Sequence, residues 1–295
     1  MKVLFTFTIL LMTTLIYSQY NYGLEVEQRD AKIEGKLNLD SRNYNTFIGN
    51  NVGINTTGSL NCFFGNSSGV LNTSGNGNSF IGAFSGLSNT TGGANSFFGQ
   101  GSGRSNTTGG ANSFFGVASG FSNTIGAANT LIGASSGESN TTGSNNSFTG
   151  HFSGLNNTTG AFNTFIGSNS GIHNHSGSNN VAIGFGAGPG SSSLNKSNKL
   201  YIDINASGGS DNPLIYGEFD NDLIRINGAL EITETLHVSD TLFVSEILHI
   251  SNTAKLEPQA NQPTCGANEM GSLYSDTGGV LYFCNGTAWK TVQLN

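Results

Sequence analysis

Few side chains in this chain have the types and spacing that catalysis needs. Only 10% of its 295 residues are charged, and from Asn45 to Gly190 the only charged residues are Arg104 and Glu138. That stretch therefore has no pair of carboxylates and no acid or base for proton transfer. The sequence also contains no phosphate-binding loop ending in Lys-Ser/Thr and no H-E-x-x-H motif. We expect no enzymatic activity and no cofactor.

Two pairs of residues are close enough in sequence to be considered as metal ligands, Asp220 with Asp222 and His173 with His175 in one coil. His237 and His249 share one slot of a six-residue repeat, so in a trimer each could meet its own copies in a histidine site. Acidic residues at a turn beside a strand, and histidines in an exposed row, are the more ordinary case. We therefore expect no metal site.

The three cysteines fall into two classes. Cys265 and Cys284 frame a β-hairpin pattern in a chain that we expect to be exported, so we predict a disulfide between them. Cys62 stands in a repeat position that other copies fill with Ser or Thr, and we expect it to be a lone small residue.

The residues between these groups form a tandem repeat. The pentad N-[TSCV]-[FLA]-[IFT]-G begins nine times, with a first step of 16 residues followed by seven steps of 17. Most copies add a second phrase, S-G-x-x-N-T-T-G, as from Ser85 to Gly92. A fixed period with many glycines and a short β-prone apolar pair predicts one coil of a parallel β-solenoid per copy. We place this β-roll at residues 45–190.

The third and fourth pentad positions are both large and apolar in most coils. Neighbouring side chains of a strand point to opposite faces, and a 17-residue coil has room inside for one of the two rows. The other row must be covered from outside the coil, so we expect the chain to associate with itself. The predicted core and oligomer ladder comprises Phe47, Ile48, Phe63, Phe64, Phe80, Ile81, Phe97, Phe98, Phe114, Phe115, Leu131, Ile132, Phe148, Phe165, Ile166 and Ile183.

Smaller residues complete the coil. The recurring glycines are expected at tight turns or close backbone approaches, and stacked Asn and Thr side chains are expected to hydrogen-bond from coil to coil. Arg104 and Glu138 share one slot that other coils fill with apolar residues, and we expect this slot to be partly exposed.

The first residues indicate the compartment. Lys2 precedes an apolar run from Val3 to Tyr17, which is too short to span a membrane and ends at Ser18. We interpret residues 1–18 as a cleaved signal peptide rather than a membrane anchor, because no basic stop-transfer cluster follows. The product is then a secreted, extracellular or cell-surface protein with no integral membrane segment. Residues 19–44 alternate with period two in part and are expected to cap the first coil.

Beyond the repeats, residues 191–229 contain alternating segments that predict a β-rich junction. Residues 230–257 carry a different repeat of six residues, with Ile232, Val238 and Val244 in step. Period six with β-branched residues favours a narrow β-structured stalk, with a coiled coil as the alternative. Residues 258–295 predict the small disulfide-stapled β-hairpin module. Its Trp289 belongs either to the core of this module or to a contact at the tip.

The unit N-[TS]-F-[IF]-G-x-x-S-G-x-x-N-T-T-G resembles the repeats in the head regions of trimeric autotransporter adhesins (YadA-like heads), and more closely a variant found in secreted and tail-fibre-like bacterial proteins. The resemblance covers about residues 45–190 and implies a left-handed parallel β-roll, a homotrimer and an adhesive role. The familiar unit is often shorter, with V-A-I-G at its centre, which Val181 to Gly184 alone match here. The membrane-barrel anchor of that family has no counterpart in this sequence.

These observations together predict an all-β, exported, fibrous homotrimer. Its function is expected to be adhesion or surface structure, with an unknown receptor or matrix component bound through the repeat head or the C-terminal tip. The alternative is a ligand- or ice-binding solenoid that uses Thr and Asn ladders. A formal net charge of −7 without basic clusters disfavours nucleic acid as a partner.

Overall fold

The computed structural model describes residues 43–192, 194–205, 209, 212–239, 241–245, 247, 263–267 and 270–292. The predicted signal peptide and residues 19–42 of the lead-in lie outside these ranges. Contacts divide the chain into two compact units, one ending at Leu230 and the other beginning at Glu231. None of the described residues lies in an α-helix.

The first unit is built on one parallel sheet with a strand from every repeat. The strands pair in register one coil apart, so that Phe63 lies beside Phe80 and Phe80 beside Phe97. The strands are β1 (Thr46–Ile48), β2 (Cys62–Phe64), β3 (Ser79–Ile81), β4 (Ser96–Phe98), β5 (Ser113–Phe115), β6 (Thr130–Ile132), β7 (Ser147–Thr149), β8 (Thr164–Ile166) and β9 (Val181–Ile183). The predicted parallel β-solenoid of nine coils is confirmed.

Three further strands extend this sheet in the predicted junction. β10 (Lys199–Ile202) continues it in parallel, whereas β11 (Ile215–Glu218) and β12 (Leu223–Ile226) follow in antiparallel order. Tyr201 of β10 is buried above Ala182 and closes the column of core side chains. The junction therefore caps the C-terminal end of the solenoid core.

The third pentad position supplies the large apolar side chain of the interior in every coil except the ninth, where it is Ala182. The third pentad position points inward and is fully buried from Phe63 to Ala182. Neighbouring Phe rings stack with centroids 4.7 to 5.0 Å apart, which is the spacing of paired strands. We call this column the inner row.

Asparagine and serine side chains fill the rest of the interior. The pentad Asn and the Asn of the N-T-T phrase are buried in nearly every coil. Asn106 donates from Nδ2 to Asn89 Oδ1 (2.7 Å) and to its own coil's Gly109 carbonyl (2.9 Å). Asn95 donates to the same carbonyl at 2.9 Å. Because buried amides cost free energy unless paired, the two Asn ladders are as necessary as the ring stack.

The ladder of N-T-T asparagines begins at the second coil. The first coil is one residue shorter. Its own N-T-T asparagine, Asn55, is exposed, and Thr56 takes the place of the buried asparagines of later coils. The buried hydroxyl of Thr56 has no hydrogen-bond partner in the described part of the chain. The ladder therefore ends one coil before the N-terminal end of the sheet.

Glycine is required where the coils approach most closely. A Cβ on Gly109 would lie 2.4 Å from the carbonyl oxygen of Gly126 in the next coil. A Cβ on Gly103, which has φ +56°, would lie 2.4 Å from the Phe97 ring across the interior. The first glycine permits the coils to stack, and the second leaves room for the inner row.

The second unit contains a three-stranded antiparallel sheet of β13 (Leu273–Ser275), β14 (Leu281–Cys284) and β15 (Trp289–Thr291). Cys265 and Cys284 form the predicted disulfide, with an S–S distance of 2.09 Å, whereas Cys62 is free and exposed. Trp289 is half-buried, packs edge-on against Tyr274 and donates from Nε1 to the Pro263 carbonyl at 2.7 Å. One edge of the indole is thus bound within the module, and the rest of the ring is partly exposed to solvent.

Part of the predicted stalk is described, at residues 230–239, 241–245 and 247. These residues form no strand, and their apolar side chains are exposed, as at Leu236 and Val244. The β-structured stalk stays a prediction.

The close coil-to-coil approach can be tested with alanine substitutions. Gly109→Ala should destabilise the solenoid by about 1–3 kcal/mol because its methyl group meets a neighbouring backbone. Gly110→Ala is the matched control, since Ala127 occupies the same position in the next coil. Thermal denaturation should show a lower midpoint for Gly109→Ala and little change for Gly110→Ala. Equal midpoints would contradict such close packing of the coils.

Candidate functional site

The outward face of the sheet is the candidate site. Strand alternation turns the fourth pentad position away from the interior, and we call this column the outer row. Its side chains are partly exposed in the single chain, in contrast to the buried inner row. The outer row comprises Ile48, Phe64, Ile81, Phe98, Phe115, Ile132, Thr149, Ile166 and Ile183.

The outer row is a continuous ladder. Phe98 and Phe115 stack with ring centroids 4.8 Å apart. In-register pairing of the strands also places each of the remaining members beside its neighbour in the next coil. Small side chains of the second pentad position, mostly Ser and Thr with Cys62 among them, run along its flank. Thr149 is the one polar member. The face is therefore flat, apolar along its centre and free of charge.

The exposed apolar area of this face determines how much free energy its burial would contribute. Exposed fractions of 37% for Ile183 and 51% for Phe64 are typical of the row, which leaves roughly 70 Å² of an average member in contact with water. The row then presents on the order of 600 Å², near the upper end of the apolar patches that monomers expose and close to one side of a standard protein interface. Covering it is worth on the order of 15 kcal/mol, as an upper estimate.

No metal-binding geometry accompanies this face. The described residues contain no group of three or more His, Cys, Asp and Glu side chains that could hold a metal ion. Of the four candidate histidines, His173 and His175 are half-buried in the eighth coil and His237 is exposed, whereas His249 lies outside the described residues.

Asp220 is paired with a lysine rather than placed beside Asp222. Lys199 Nζ lies 3.0 Å from Asp220 Oδ1 and 3.8 Å from Glu218 Oε2. The hydrogen bond from Lys199 lowers the pKa of Asp220. Hydrogen bonds from Asn221 and then Tyr216 lower the pKa of Glu218. These carboxylates are engaged in holding the junction strands together.

Tyr216 completes this junction cluster. Burial, followed by its hydrogen bond to Glu218 (2.8 Å), raises the pKa of Tyr216 to about 12. The phenol therefore stays protonated and donates to the carboxylate at any physiological pH. We assign the cluster a structural role at the end of the solenoid.

Comparisons of this chain with protein-family models, with characterised proteins and with solved structures gave no match. No helix within the described ranges has the length and apolar character needed to cross a membrane.

The outer row can be tested by placing a charge on it. Phe98→Asp should leave the coil folded, because this side chain points outward, yet abolish the predicted self-association, because association would bury an unpaired carboxylate. Thr108→Asp is the control, since it adds the same charge to an exposed position outside the sheet. Sedimentation velocity should show a reduced mass for Phe98→Asp alone. An unchanged mass for both variants would remove the outer row from any interface.

Proposed function

We propose that the protein is an exported, fibrous adhesin or cell-surface structural protein that acts as a homotrimer. The observation that carries this proposal is the outer row, an apolar ladder along one entire side of a thin solenoid. A coil with one Phe inside cannot bury this ladder itself. Sister chains lying parallel in register match its repeat coil for coil.

The number of chains rests on the resemblance of the repeat to YadA-like heads. The apolar outer face supports side-by-side association of chains. When parallel chains are related by a rotation axis, the assembly closes and the outer face of every chain is covered. Three chains would each contribute one outer row. The resulting rod is rigid because every coil is anchored to the next by ladders.

Export is supported by two independent features. The N-terminal residues have the pattern of a signal peptide, and the C-terminal module is stapled by the Cys265–Cys284 disulfide, which persists in oxidising compartments. A repeat region with only two charged residues suits a role in contact and support. Its repeat head or its C-terminal module would meet the receptor or matrix.

The ice- or ligand-binding alternative has weaker support. In each N-T-T phrase the first Thr hydroxyl is used within the solenoid, as Thr107 donates to the Thr124 carbonyl at 3.0 Å. The second Thr is exposed, but its row is broken by Ile125. One interrupted column offers no flat two-column array for ordering water.

Two measurements test the proposal together. Sedimentation should give a mass about three times that of the processed chain, and the immobilised protein should retain cells or matrix components. The Phe98→Asp variant should lose both properties. A concentration-independent monomer would overturn the trimer. Thermal hysteresis without any adherence would instead favour the ice-binding alternative.

A further inference from the structure

A second row of outward side chains lies on the opposite side of the solenoid. Gly103, at the ninth position of its coil, faces the Phe97 ring across the interior, so the ninth position lies opposite the strand. The tenth position follows it and points outward, away from the outer row. We call this column the back row. It includes the two charged residues of the repeats, Arg104 and Glu138.

The back row is a palindrome centred on Phe121 in the fifth coil. One coil to either side stand the opposite charges Arg104 and Glu138. Two coils to either side stand Leu87 and Leu155, followed by Val70 and Ile172. Phe84 and Phe152, the two aromatic residues at the seventh position, lie two coils to either side of the same centre.

The central residues are placed for contact with another molecule. Arg104 is exposed, and its guanidinium carbon lies 5.7 Å from the Phe84 ring centroid and 5.3 Å from that of Phe121. Glu138 is half-exposed. Neither forms an ion pair within the described part of the chain. Cation–π contacts thus orient the guanidinium while its N–H groups remain available to an external carboxylate.

We propose that the back row is a docking surface for a second copy of this chain in antiparallel orientation. A two-fold axis passing between two Phe121 side chains sets Arg104 of each chain against Glu138 of the other. The same axis sets Leu87 against Leu155, and Phe84 against Phe152. Every contact is then either apolar or between opposite charges, which is the self-complementarity that a two-fold contact requires.

A parallel contact through the same row is disfavoured. In register, it would set Arg104 against Arg104 and Glu138 against Glu138, and like charges across an interface select against that arrangement. Antiparallel rods are those that project toward each other from two facing surfaces. This inference rests on the proposed function: the partner of one adhesive rod is a second rod of the same protein, bound through the back row.

Avidity strengthens such a contact. The palindrome spans seven coils, but a single contact holds only two ion pairs, and its side chains are partly buried in their own chain, so one pair of rods binds weakly by itself. If the outer rows hold three chains together, the back rows remain on the outside, and many rods on each surface can pair at once.

Charge reversal tests the pairing in the purified full-length protein. At low ionic strength, wild-type assemblies should associate further, and Arg104→Glu or Glu138→Arg alone should weaken this association at least about tenfold. An equimolar mixture of the two variants should associate like wild type, as should the double variant R104E/E138R. Unchanged association of the single variants, or no association of wild type at any concentration, would overturn the proposal.

Disulfide trapping tests the direction of the rods. With the free thiol removed by Cys62→Ser, a mixture of Leu87→Cys and Leu155→Cys proteins should form the mixed disulfide under mild oxidation. When the Leu87→Cys variant is oxidised alone, mass mapping should find no link between position 87 of one chain and position 87 of another. Such a link would indicate a parallel contact and would overturn the antiparallel arrangement.

The mass at high ionic strength separates this inference from the proposed function. High ionic strength should weaken the back-row contact, which includes ion pairs, more than the outer-row assembly, which has none. Trimers that never associate further would overturn the back-row proposal alone. Monomers that pair in the antiparallel manner would overturn the trimer alone.

Discussion

The structure depends on how closely successive coils stack. At strand spacing, the carbonyl oxygen of each N-T-T-G glycine occupies the place that a side chain on the matching glycine of the preceding coil would need, as Gly126 and Gly109 show. That carbonyl is buried and accepts hydrogen bonds from two asparagines of its own coil. Satisfying it with neutral amides lets the chain bury many polar groups without burying charge.

This interior determines the surface. In most coils the interior holds one Phe or Leu, two Asn and a buried Ser, and no room is left for a second large side chain. The other apolar positions are forced outward, to the sheet face and to the side opposite it. The solenoid therefore carries two distinct outward rows, one uniform along its length and one symmetric about its middle. A uniform row suits parallel neighbours, and a symmetric one suits an antiparallel neighbour.

Several features were predictable because they follow from period and chemistry. The 17-residue step and the paired apolar residues predicted stacked coils with one row in and one row out, and the framing of a hairpin by Cys265 and Cys284 predicted their disulfide. The buried position of Asn89 and Asn106 was not predicted. Their side chains suit turns and interiors equally, and only the path of the coil decides between the two.

The amino-acid sequence by itself determined the fold class and the number of coils, because a strict repeat permits one structural unit per copy and a strand shows two faces. Tertiary structure decided which apolar row is inside, that Asp220 binds Lys199, and that Arg104 lies between the rings of Phe84 and Phe121. Each of these features depends on how the chain curves between distant positions. The spacing of residues along the sequence does not specify that path.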